Sequence, residues 1–169
     1  QYEEIRYEGY GAGGTAFIVE TLTDNRNRTA SEVRAAFNKF GGSLGETGSV
    51  SFMFDKVGQI IYLVGATDSD AMFEAALEAG AQDVESDDDT HLITTAPEDF
   101  NSAREKLEEN FGSPEEAQLT WVAQNTLNVS EDQARTLLKF IDTLEENDDV
   151  QSLSFNFEIS DEILTKLDG

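Results

Sequence analysis

Polar and apolar residues alternate through YEEIRYEGY (2–10), and a nearly continuous apolar run, TAFIVETLT (15–23), follows the glycine cluster GAGG. Alternation before a glycine turn and a buried run after it predict a β-hairpin. From Thr29 the period changes. Val33, Phe37 and Phe40 recur at helical spacing, Thr29 and Glu32 form a capping-box pair, and Gly41 and Gly42 supply the stop. SVSFMFD and QIIYLVG then flank Lys56, Val57 and Gly58 and predict a second hairpin.

The middle of the chain repeats the alternation of periods on a smaller scale. SDAMFEAALEAG predicts an amphipathic helix with Asp68 or Ser69 as cap and Gly80 as stop, and DVES and HLITTA predict short strands around Asp87–Asp89. Pro97 suits the first turn of a helix carrying Phe100, Ala103, Leu107 and Phe111, and AQLTWVAQ reads as a further strand. Ser130 and Gln133 cap a helix whose stripe is Ala134, Leu137, Leu138, Ile141 and Leu144. VQSLSFNFEI is the last strand, and SDEILTKL, capped by Ser160, gives a final turn or two of helix.

This order predicts an α+β protein of two α/β lobes. Without the middle block the elements run strand, helix, strand, strand, helix, strand, the split β-α-β pattern of ferredoxin-like domains. The expected division is a discontinuous ferredoxin-like domain, 1–65 with 129–169, and a small α/β domain, 66–128, inserted into it. The strand at Gln59–Gly65 is the ambiguous element, able to pair in either lobe.

Composition narrows the chemistry. The 169 residues are 38% hydrophobic, enough for a core, and contain no apolar run near the ~18 residues that span a bilayer. Zero cysteines exclude disulfides, thiolate nucleophiles and cysteine-ligated metals, and a cytoplasmic protein is the simplest reading. Thirty-five acidic against 11 basic residues give a formal charge of -24, so the long-range field repels polyanions. Such acidity serves solubility and also suits a high-salt cytoplasm.

Locally the sign reverses. Arg26, Arg28, Arg34 and Lys39 lie between Thr23 and Phe40, opposed only by Asp24 and Glu32. In TDNRNRT (23–29), Arg26 and Arg28 stand where a strand hands over to a helix. Their guanidinium forks and the open amides of a first helical turn suit a phosphate. The competing reading pairs these arginines with Asp24, Glu32 or the acidic lobe opposite, fixing loop and domain geometry, while Asn25 and Asn27 make turn bonds.

The other candidates carry less. Gly11, Gly13 and Gly14, with Gly45 and Gly48 in GGSLGETGS, lack the strand–glycine–helix context or the lysine-threonine pair of phosphate loops, and read as flexible polar turns beside the basic island. His91, the only histidine, has no cysteine to share a metal, and Asp87–Asp89 lacks the ligand alternation of a calcium loop. No metal or cofactor is expected. Trp121 and the phenylalanines at 17, 37, 52, 54, 155 and 157 fit core packing, with base stacking on an open sheet face as the less favoured role. No nucleophile with an adjacent base stands out, which argues against an enzyme.

YEGYGAGG, VETLTDNRNRTASEVRAAFNKFGGSLGETGSVSFMF, EAALEAGAQDV and DDVQSLSFNFEIS together resemble the YebC/TACO1 family. Ala12 replaces the proline usual in the family's glycine turn, and FNFEIS is less polar than its usual last strand. The resemblance implies two lobes like those read from periodicity, and a role as a DNA-binding regulator of transcription in bacteria or an activator of translation in mitochondria. Family members usually begin with a lysine-rich helical domain. This sequence enters the pattern after it and is expected to be a fragment. DNA, RNA or ribosome contact is then expected mainly through that further domain, with no membrane role. Within these residues a strongly acidic body suits a ribosome-associated factor better than a general DNA clamp. The alternative is an acidic protein-interaction module docking a basic partner.

Overall fold

The computed structural model describes residues 1–168. The chain divides into two compact units, Gln1–Asp55 with the chain from Val122 onward, and Lys56–Trp121. The first lobe contains β1 (Glu3–Tyr10), β2 (Ala16–Thr23), α1 (Arg26–Lys39) and β3 (Ser43–Leu44). The second holds most of β4 (Phe54–Leu63), then α2 (Ser69–Glu78), β5 (Asp83–Ser86), β6 (Thr90–Thr95), α3 (Phe100–Phe111) and most of β7 (Glu116–Ala123). The chain then returns to the first lobe as β8 (Leu127–Asn128), α4 (Glu131–Glu145), β9 (Val150–Phe155), β10 (Phe157–Glu158) and α5 (Asp161–Asp168).

In the first lobe the sheet order is β3-β1-β2-β9. The hairpin is in full register from Glu3 opposite Thr23 to Tyr10 opposite Ala16. Phe17 and Val19 of β2 face α1 and α4 and join Val33, Phe37, Leu137, Phe140 and Leu144 in one core, while Ile18 points to the opposite face and is also buried. Burial on both faces explains why β2 is continuously apolar where β1 alternates. Gly9 is required by this packing, because a Cβ there would meet the Ser43 carbonyl oxygen at 2.6 Å and the Phe37 ring at 2.8 Å.

The second sheet runs β5-β6-β4-β7, with Ile60, Tyr62 and Ile93 packed against Met72 and Ala76 of α2 and Phe100, Ala103 and Leu107 of α3. His91 is buried here. Its Nε2 lies 2.9 Å from the Thr67 carbonyl, which can only accept, and its Nδ1 is 2.7 Å from the Ser86 hydroxyl. The Asp87 carboxylate closes the acidic turn by accepting from the amides of Asp89 and Thr90, both at 2.8 Å.

The α+β class is as expected, and so are the first hairpin, the Asp68 cap, the Ser130–Gln133 capping box and the glycine stops at 41 and 80; Gly112 ends α3 in the same way. Several local assignments are corrected. Helix α1 starts at Arg26, capped by Asn25, so Thr29 is a buried residue inside it rather than its cap. The second hairpin does not form: Ser51–Met53 is a 3-10 turn, and one strand runs from Phe54 through Leu63. Residues 58–63 pair with β6, so the ambiguous strand belongs to the second sheet and the lobe boundary falls near 55.

The last strand is broken at Asn156, whose Oδ1 turns inward to accept from the Ala16 amide at 2.8 Å. Beyond the break, β10 pairs in parallel with β8. On α4, Phe140 occupies the core between Phe17 and Phe37, while Leu138 is exposed. Phe52 is exposed as well.

Candidate nucleic-acid interface

The first turn of α1 divides the basic island into two parts. Thr23 Oγ1 accepts from the Asn25 amide, and Asn25 Oδ1 accepts from the Arg28 amide at 3.1 Å, which fixes the strand-to-helix corner. Once the helix starts at residue 26, its 3.6-residue period places Arg26, Ala30 and Arg34 in one row and turns Arg28 away from it.

Arg28 is a structural clamp. Its terminal nitrogen lies 3.2 and 3.0 Å from the two oxygens of Asp149 and 3.6 Å from Asp24. The Thr29 hydroxyl donates to Asp149 Oδ2 at 2.8 Å and lies 2.8 Å from that of Thr23, so one carboxylate joins β2, α1 and the turn before β9. The Thr29 and Arg28 bonds hold the Asp149 carboxyl below its ordinary range, and Asp149 in turn raises Arg28. Tyr2, Asp24, Glu32, Glu146 and Asp148 complete the rim of this acidic hollow.

The other part faces an anion-compatible groove. Arg6, Arg26, Asn27 and Arg34 line a cavity of about 370 Å³ together with Tyr7, Ala30 and the loop residues Leu44–Thr47, and Glu46 is the one carboxylate in its wall. Arg26 is 64% exposed, and its ion pair among the described residues is with the exposed Glu3, at 3.5 Å. Arg34 is exposed and has no ion pair with a described residue. Lys39 lies outside the groove, its ammonium 5.4 Å from the Phe40 ring centroid.

Arginines at this end of a helix run against its dipole, which favours acids in the first turn by about 0.3–1 kcal/mol each. Helices α2, α4 and α5 follow that rule with Asp70, with Glu131 and Asp132, and with Asp161 and Glu162, whereas α1, like α3, has no acid in its first turn. Asp149 compensates Arg28. For Arg26 the compensation is slight, and the amides of Arg26 and Asn27 at the same end are left for an incoming acceptor.

The glycine loops frame the site differently. Gly11, Gly13 and Gly14 form the β1–β2 turn, where the Gly11 amide donates to the Thr15 carbonyl at 2.8 Å and Gly13 sits against Gln133. Gly45 and Gly48 belong to the groove-side loop, which Glu8 organises. This fully buried carboxylate accepts from the amides of Gly48, Val50 and Ser51 at 2.8, 3.0 and 2.7 Å, and from Arg6 Nε at 3.0 Å. Burial alone would push the Glu8 carboxyl up, and these four donors together bring it below the ordinary glutamate value. Gly48 provides the positive φ of 95° that aims its amide inward. The Gly45 amide also donates, at 2.8 Å, to the Glu8 backbone carbonyl.

Arg6 and Glu8 are missing from the sequence-based site. A signal existed for Glu8, a lone acid between a tyrosine and a glycine that packs against a helix. Nothing in the spacing linked either residue to α1.

Among the described residues no cluster of His, Cys, Asp or Glu is arranged to hold a metal ion, and no helix is long and apolar enough to cross a membrane. Residues 2–157 match the family described as TACO1/YebC second and third domain. The crystal structure of a conserved hypothetical protein, Aq1575, from Aquifex aeolicus superposes with a TM-score of 0.88 at 44% identity, covering 97% of this chain and 68% of that one. With the same strand–helix corner, glycine loop and last strand that suggested it from sequence, the chain belongs to the TACO1/YebC family.

Proposed function

We propose that this chain is a non-enzymatic regulator of gene expression that contacts RNA phosphates on the ribosome through Arg26 and Arg34 of this groove. The observation that carries the reading is Arg26, an exposed guanidinium placed at the disfavoured end of a helix dipole on a body of formal charge -24, its ion pair among the described residues being the long, exposed one with Glu3. Membership in a family that includes transcriptional regulators and translational activators supports a nucleic-acid ligand. The global charge favours the ribosome over free DNA: a chain that repels polyanions at long range needs a surface where basic proteins lie beside RNA.

Chemically the groove binds and orients. Arg26 and Arg34 can each present a fork to phosphate oxygens, and Arg6 anchors the wall between them through its Nε bond to Glu8. The test is ribosome pelleting and gel shift with full-length protein carrying Arg26→Ala and Arg34→Ala. Loss of pelleting with little change in DNA shift is expected. Pelleting equal to wild type would make the arginines structural.

One observation favours a second reading. Residues 56–121 carry 16 acidic against three basic residues, a surface suited to a basic protein partner. A pull-down that survives nuclease and is insensitive to the arginine substitutions would favour it.

A further inference from the structure

Phosphate binding in the groove leaves Phe52 unexplained. Its ring is 69% exposed on the Ser51–Met53 turn. Single exposed apolar side chains are ordinary. This one is set apart by how its backbone is held. On one side the amides of Val50 and Ser51 donate to the buried Glu8 carboxylate, and on the other the Met53 carbonyl accepts from the Gln124 amide at 3.0 Å. The Met53 amide closes the turn onto the Val50 carbonyl at 3.0 Å. The ring therefore stands on a backbone fixed from two sides before any ligand arrives.

Beside it lies a cavity of about 270 Å³, lined by Phe52, Met53, Gly14 and Leu127 together with Gln124, Asn125 and Asn156. None of its lining residues is charged. Asn156 is buried and its Oδ1 is taken by the Ala16 amide, which sets the orientation of its side chain. Gln124 donates through Nε2 to Asp55 at 3.1 Å, leaving Oε1 as an acceptor. One flat apolar face with amide donors and acceptors at its margin matches an uncharged, planar, hydrogen-bonding ligand. Nucleobases have that chemistry: they stack on aromatic rings and pair through their edges.

We propose that Phe52, Gln124, Asn125 and Asn156 form a site for an unpaired nucleobase, so that the nucleic acid this chain binds is single-stranded at the contact. The inference rests on the reading of the arginine groove as a phosphate site. The two are joined by one loop: Leu44–Thr47 forms the groove wall, Phe52 stands at the loop's far end, and Glu8 pins the backbone between them. A paired base keeps both faces stacked and its edge occupied, and offers this ring nothing.

The test uses the full chain with a fluorescein-labelled 12-nucleotide RNA of mixed sequence, as a single strand and as a duplex with its complement. Wild type is expected to prefer the single strand. Phe52→Ala should weaken single-strand binding between about fivefold and a hundredfold without altering the duplex, and Phe52→Tyr should restore it. Ultraviolet cross-linking should join the single strand to the peptide that contains Phe52. If Phe52→Ala binds the single strand as wild type does, the proposal is overturned, while the groove reading survives provided Arg26→Ala still loses affinity. Loss of ribosome pelleting in Phe52→Ala with unchanged RNA binding would also overturn it and assign the ring to a protein contact. Absence of binding to either RNA by wild type would overturn both.

Discussion

The two lobes build the same sheet by different routes. Residues 56–121 run strand, helix, strand, strand, helix, strand, and the order β5-β6-β4-β7 is that of a ferredoxin-like sheet with its third strand supplied by a tight hairpin. In the first lobe β2, α1, β3, α4 and β9 occupy the corresponding places, but the third position is filled by β1, from the start of the chain. The consequence lies after the edge strand. In the second lobe the chain turns straight back at Asp87–Asp89. In the first lobe, relieved of supplying the next strand, residues 45–53 are free to form a loop held on Glu8. Groove wall and exposed Phe52 both sit on that loop. The candidate site lies where the two routes diverge.

The comparison breaks most visibly at Glu8. Glu8→Ala leaves three amides and Arg6 without their acceptor in a buried place, and a loss of about 3–5 kcal/mol is expected. Hydrogen exchange should show the loss in residues 43–53 and β1, with α2 and α3 unaffected. Equal deprotection of both lobes would mean that the loop is not a separate device. In the second lobe the counterpart is His91→Ala, which removes the ring bridging Thr67 and Ser86, and about 2 kcal/mol is expected by thermal unfolding.

Acid acts on anchoring carboxylates in both lobes. Glu8 and Asp149 in the first lobe, and Asp87 in the exposed turn of the second, have carboxyls held below their ordinary values. A depressed folded pKa contributes stability that is complete above the unfolded value, about 4 for these groups, and is lost as pH falls through the folded value. The amides of Gly48, Val50 and Ser51 should therefore stay protected at pH 5 and open only below about pH 4. Asp149→Asn should remove part of that dependence at a cost of about 1 kcal/mol. The smallest effect is the most informative about the groove: Arg26→Ala relieves an unfavourable dipole contact, so stability should hold or rise by about 0.3 kcal/mol while RNA affinity falls.

Much of this fold was legible because local chemistry and tertiary context agreed. Ser130 with Gln133, Asp68, Pro97 and the glycine stops each act within one turn of chain, and the structure keeps them. Thr29 failed because two cap-like residues compete at that corner. Asn25 takes the cap, and the Thr29 hydroxyl is recruited by Asp149, 120 residues away. QIIYLVG failed for a different reason: an apolar run specifies burial in a sheet but not which sheet, and only the pairing of 58–63 with β6 decides it. Of the candidate site, Arg26, Asn27 and Arg34 were visible as a basic segment in an acidic chain. Their separation from Arg28 was not, because it depends on where the helix starts. Arg6 and Glu8 come from β1, and no spacing rule joins them to α1.

The central claim is that Arg26 and Arg34 meet phosphates while Arg28 holds the corner together. It is tested most directly by the salt dependence of single-stranded RNA binding for wild type, Arg26→Ala with Arg34→Ala, and Arg28→Ala. Each lost phosphate contact lowers the slope of log affinity against log salt by about 0.7, so the double variant should fall by about 1.4 and Arg28→Ala should keep the wild-type slope. Identical slopes for wild type and the double variant, or a loss confined to Arg28→Ala, would contradict it.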